Sequence, residues 1–171
     1  MRISTLCVIA LALVVDTSCS PTEPRELTAE DLGIVCVSDN SVIMLDATTV
    51  DTVIDILGEP LSRKVVKYQH ENKEEDVFDQ IRLSYDGIAL VRFRGFDTAH
   101  NIIITDSKYR ALGGFSIGDN IRDVKRIYSD VYEYDDFAIV SLFDGEIGRG
   151  FAIEHDGKGK ITKILLSVFS P

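Results

Sequence analysis

The chain has 171 residues, 18 basic and 28 acidic, and a formal net charge of −10, which suits one domain or two very small ones. No basic stretch is present to follow a phosphate backbone, and an acidic surface is repelled by nucleic acid and by anionic headgroups, so nucleic acid is excluded as a partner.

The first element in chain order is an export signal. Arg2 precedes ten unbroken apolar residues, Leu6–Val15, a run of signal-peptide length and too short for a membrane span of about 20 residues. Residues 1–18 therefore read as a signal peptide, and cleavage before Cys19 would put a thiol at the new N-terminus. Thr17-Ser18-Cys19 resembles the small-small-Cys end of a bacterial lipoprotein signal, with Asp16 where that signal usually carries Leu. The resemblance implies that Cys19 is the lipidation site, bearing acyl chains such as palmitate. Each buried CH₂ contributes roughly 0.8 kcal/mol, and two or more chains are needed for stable membrane anchoring. The expectation is a cell-envelope lipoprotein, with the outer membrane favoured and the domain facing the periplasm or exterior. The alternative is ordinary cleavage nearby, leaving Cys19 free or paired with Cys36.

Residues 19–32 are polar and acidic and hold two of the four prolines, Pro21 and Pro24, so they read as a lipidated tether. The folded part is expected to begin at Gly33. Ile34–Val37 and Val42–Leu45 read as short strands, with Cys36 a buried strand residue, since free cysteine is among the most buried residue types. Val50, Val53, Ile56 and Leu57 have the i, i+3, i+6, i+7 spacing of a short amphipathic helix, capped by Thr48-Thr49 and ended by Gly58-Glu59-Pro60. Arg63–Gln69 reads as a strand and Glu71–Asp76 as a solvated loop. Ile81–Tyr85 then runs through Asp86-Gly87 into Ile88–Arg94, a hairpin. Ile102–Thr105 adds a strand.

This pattern recurs. A shift of 71 sets the first helix on Ile121, Val124, Ile127 and Tyr128, capped by Asp119-Asn120. A shift of 70 sets the hairpin on Phe151–Gly157, whose second strand is Lys160–Val168, preceded by a strand at Phe137–Phe143. The fold expected is α+β, a duplicated unit of a short helix packed on a three-stranded antiparallel meander, with repeats at 33–111 and 112–171.

Val53, Ile56, Leu57, Gly58 and Pro60 in the first copy, with Ile117, Gly118, Val124, Ile127 and Tyr128 in the second, carry a family resemblance. The chain resembles the fold shared by the small lipoproteins of the outer-membrane barrel-assembly machinery and the tandem-repeat β-lactamase inhibitory proteins. What the resemblance implies is a binding protein without cofactor or catalytic centre, holding another protein on its open sheet face or loops.

The chemistry-bearing residues agree with a non-catalytic reading. His70, His100 and His155 form no local zinc motif, so no metal is expected. His155, matching Tyr85 in the first copy, reads as a strand-end surface residue. Gly157-Lys158-Gly159-Lys160 lacks phosphate-loop spacing and reads as a turn. One cluster stands out: Tyr128 to Phe137 packs three tyrosines and four carboxylates into ten residues. Tyr128, Tyr132, Tyr134, Asp135 and Asp136 are accordingly the candidate interface for a protein partner, aromatics giving contact area and acids steering a basic surface. The other readings are that Tyr128 and Tyr132 pack the helix end while the acids face solvent, or a calcium loop of unmatched spacing. The functional expectation is a non-catalytic protein-binding or assembly module. The alternative is a secreted or periplasmic hydrolase, which would need a His beside a Ser or carboxylate in a pocket.

Overall fold

The computed structural model describes residues 23–69 and 77–169. The expected signal peptide, Cys19 and the Glu71–Asp76 loop lie outside the described residues. The elements are β1 (Gly33–Cys36), β2 (Val42–Met44), α1 (Val50–Leu57), β3 (Ser62–Gln69), β4 (Val77–Tyr85), β5 (Ile88–Phe93), β6 (Asn101–Ile104), β7 (Tyr109–Ala111), α2 (Ile121–Ile127), β8 (Val131–Glu133), β9 (Phe137–Asp144), β10 (Ile147–His155) and β11 (Ile161–Phe169).

The chain folds locally where its patterns said it would. The Thr49 hydroxyl accepts a hydrogen bond from the Thr52 N–H at 3.3 Å, and α1 ends at Gly58, whose φ of +79° suits glycine. In α2 the Asn120 side chain accepts from the Arg122 N–H at 3.0 Å while Asp123 accepts from the Asn120 N–H at 3.3 Å. Both ends of this capping box satisfy N–H groups that the helix leaves unpaired. Asp86-Gly87 turns β4 into β5, with Gly87 at φ +73°.

The tertiary arrangement corrects the expected α+β duplication, because this is a mostly β protein. The meanders β3-β4-β5 and β9-β10-β11 are not separate sheets. They join through β6 in one eight-stranded antiparallel sheet of order β3-β4-β5-β6-β11-β10-β9-β8, and β2-β1-β7 form a second sheet of three strands. A three-stranded meander on its own exposes an edge whose N–H and C=O groups lack partners. Here β6 pairs with β5 on one side and β11 on the other, satisfying both edges at once. Helices of 8 and 7 residues cover too little of so wide a sheet. The small sheet fills the remainder: Ile34, Ile43, Tyr109 and Ala111 share one apolar core with Val53 of α1, Val124 of α2 and Leu90, Ile102, Ile164 and Leu166 of the large sheet. Each helix therefore packs into a common core, not on a sheet of its own.

Part of the expected tether also belongs to the fold. Leu27 and Leu32 are buried, the Arg25 N–H donates to the Ile127 carbonyl at 2.9 Å, and the Ser129 N–H donates to the Arg25 carbonyl at 3.0 Å. Residues 25–32 thus brace the C-terminal end of α2, and the folded part starts before Gly33. Among the described residues, no helix is long and apolar enough to cross a membrane.

Candidate functional site

The register of the eight-stranded sheet sorts its side chains into two faces, because successive residues on a strand point to opposite sides. One cross-strand row, Val131-Val140-Phe151-Leu166-Ile102-Leu90-Leu83, faces the core. The adjacent row, Tyr132-Ile139-Ala152-Leu165-Ile103-Ala89-Ser84, lies on the opposite, outer face. Ile139, Ala152, Leu165 and Ile103 in this outer row are half-buried, and Tyr132 at its end is 61% exposed. This apolar row runs through five neighbouring strands on a solvent-reaching face. Phe143, exposed and edge-on to Phe169 at 5.7 Å, extends the apolar surface towards the far end of β9 and β11.

The Tyr/Asp cluster is split by the fold. Tyr128 is 1% exposed, set edge-on to Phe115 at 6.5 Å and beside Phe151 at 6.3 Å, with the Arg25 guanidinium 5.4 Å over its ring. Burial pushes its phenol well above the ordinary tyrosine value. It is a core residue and presents no surface to a partner. Tyr132 stands on the outer face beside Ile139, and Tyr134 stacks on Phe137 at 4.4 Å in the β8–β9 turn. Asp135 and Asp136 are exposed in the same turn, where the Asp136 carbonyl accepts from the His155 N–H at 2.9 Å. Of the expected interface, the structure brings Tyr132 onto the apolar row and sends Asp135 to a separate cleft.

That cleft has a volume of about 570 Å³ and lies between α2, β8 and the β10–β11 turn, lined by Arg122, Lys125, Glu133, Asp135, His155 and Lys158 among others. His155 is not the surface residue expected. It follows Phe151 and Ile153 at i+4 and i+2 on the core side of β10 and is 8% exposed, so the alternation through those two residues was the signal for its burial. Its Nδ1 lies 3.3 Å from the Asp156 carbonyl, an acceptor only, which assigns the proton to Nδ1. Its Nε2 faces Glu133 Oε1 at 3.9 Å, too far for a hydrogen bond. The hydrogen bond from the Lys125 ammonium to Glu133, reinforced against desolvation by the charges of Lys125 and Arg122, holds that carboxyl below its usual value. The second described histidine, His100, is bound similarly: Nδ1 is 3.2 Å from the Thr98 carbonyl and Nε2 is 3.8 Å from Asp46, which Arg149 also meets at 3.5 Å. Among the described residues, no group of three or more His, Cys, Asp or Glu side chains is placed to hold a metal.

No family model matches the chain, and no curated protein matches it. Among solved structures it is similar to the uncharacterized protein yfeY from Escherichia coli, at 16% sequence identity over 85% of this chain and 99% of that one, with a TM-score of 0.42.

Proposed function

We propose that the chain is an exported, lipid-anchored protein of the cell envelope that acts as a non-catalytic protein-binding or assembly module. The anchor reading rests on Arg2, the apolar run Leu6–Val15 and Thr17-Ser18-Cys19. The binding reading rests on one observation, the apolar row Tyr132-Ile139-Ala152-Leu165-Ile103 on the outer sheet face. The partner is a protein, and the membrane contact is the lipid on Cys19.

The test is site-specific crosslinking in intact envelopes, with a photo-reactive side chain in place of Tyr132 on the outer face or of Lys158 in the cleft. The proposal expects a discrete protein adduct from position 132 and none from position 158. An adduct from 158 alone would overturn the outer face as the binding surface.

One observation favours a hydrolase as the second reading: His155 is buried beside the Glu133 carboxylate in the cleft. Against it, no Ser, Thr or Cys is among the described residues lining that cleft, and the His–carboxylate distance of 3.9 Å is beyond general-base contact.

A further inference from the structure

Among the described residues the eight-stranded sheet ends at β3, which pairs with β4 on one side and with no described strand on the other. β3 is eight residues long, and its outward ladder of N–H and C=O groups is a template for another extended chain. Strands at sheet edges are commonly short or apolar-poor. On β3 the side chains from Arg63 to Lys67 are all exposed, including Val65 at 56% and Val66 at 49%, and Leu61 just before it is 77% exposed.

Charge adds a second, independent observation. In a protein with net charge −10, β3 carries Arg63, Lys64 and Lys67. Their cross-strand surroundings differ. Lys67 lies opposite Asp79, and Arg63 lines a cleft with Asp51 and Asp97. Lys64 lies directly opposite Arg82 on the outer face, both exposed, and like charges placed opposite one another destabilise a sheet. No ion pair among the described residues offsets them. Val66 and Gln80 follow as the next pair on that face, so the edge presents two cations and then an apolar position.

We propose that β3 is the partner-recognition edge: an extended segment in which a pair of apolar residues is followed by a pair of acidic ones, supplied by the partner protein, adds to it antiparallel as a ninth strand, complementing the order Arg63-Lys64-Val65-Val66 of β3. Main-chain hydrogen bonds to the β3 ladder would hold the segment, its carboxylates would meet Lys64 and Arg82, and an apolar side chain would cover Val66. This rests on the protein-binding reading and names the partner's chemistry. A second copy of this chain fits poorly, because edge-to-edge pairing would bring together two strands that each carry three cations.

Fluorescence anisotropy of a labelled, end-blocked peptide of sequence Glu-Val-Val-Glu-Glu is measured against the full chain in detergent. Two control peptides carry Lys in place of Glu, or the same side chains on an N-methylated backbone. The proposal expects binding of the acidic peptide, at least about tenfold weaker for both controls and for Lys64→Glu/Arg82→Glu, with Lys64→Gln/Arg82→Gln between the two. Circular dichroism establishes that each variant is folded. Equal binding of the N-methylated peptide would overturn strand addition in favour of plain charge attraction. Absence of peptide binding together with self-association of Lys64→Ala/Lys67→Ala would show that the lysines only guard the edge, and would overturn the proposal too. If position 132 still crosslinks a protein in either case, the binding reading stands while the edge assignment falls.

Discussion

Arg25 Nη1 donates to Asp31 Oδ2 at 2.6 Å, joining the start of the folded chain to a carboxylate that is almost fully buried. Thr28 closes the arrangement, its N–H and hydroxyl each 3.0 Å from the same oxygen. Desolvation raises the Asp31 pKa, but the hydrogen bonds from Arg25 and Thr28 outweigh it, and the carboxyl is held below its ordinary value of 3.8. A lowered folded pKa contributes stability that is fully present above the unfolded value and is lost as the pH falls through the folded one. Urea unfolding between pH 6 and 2 should therefore show a steeper acid loss for the wild type than for Asp31→Asn. At neutral pH the variant should be less stable by about 1.5–3 kcal/mol, the range for hydrogen bonds to a charged group. Parallel pH curves for the two proteins would contradict the assignment.

Tyr128 and Tyr132 belong to the same sequence cluster and should behave oppositely. Tyr128→Ala opens a cavity between Phe115, Phe151 and Arg25 and is expected to cost about 3–5 kcal/mol in chemical denaturation. Tyr132→Ala, at an exposed site, should stay within about 0.5 kcal/mol of the wild type. Similar losses at both positions would show that the outer face is covered within the molecule.

Gly150 sits in β10 between β9 and β11, where an added Cβ would run into the Val140 carbonyl oxygen and lie 2.9 Å from Ser141 Cα. Those atoms are backbone and cannot swing aside. Gly150→Ala should lower stability by about 1–3 kcal/mol, whereas Gly157→Ala, with nothing within 4 Å of its Cβ, should be neutral. The pair of melting temperatures checks whether β9 and β10 are in the register given.

Cys36 is buried in β1, and burial, with a smaller contribution from Asp39, pushes its thiol above the ordinary value. The thiolate is the reactive form. A maleimide should therefore label Cys36 slowly in the folded protein and at once in denaturant, as read by intact mass. Fast labelling of Cys36 in the native state would place β1 outside the core.

Short-range structure was legible in the sequence and long-range pairing was not. Thr49 and Asn120 announced both helices, and Asp86-Gly87 announced a hairpin, because capping and turn chemistry depend on neighbours in the chain. The insertion of β6 between β5 and β11 joins Ile102 to Leu166, and nothing local to Asn101–Ile104 says which edges it will close. The same limit hid β7 pairing with β1 through Ile34 and Ala111. For the candidate site, the tyrosine cluster was visible as composition, but helix and strand geometry decided that Tyr128 turns inward while Tyr132 turns out. His155 was readable from the alternation with Phe151 and Ile153, and matching it to Tyr85 in the other half concealed this. The outer apolar row needs five strands in register, so it exists only in the folded sheet.

The central claim is an anchored binding module, and its anchor is the more direct half to measure. Wild type and Cys19→Ala expressed in a bacterial host would be compared by intact mass and detergent partitioning. The account predicts a wild-type mass matching cleavage before Cys19 plus acyl chains, found in the detergent phase, with both the added mass and the partitioning lost in Cys19→Ala. A wild-type protein that is unacylated and partitions into water would contradict it.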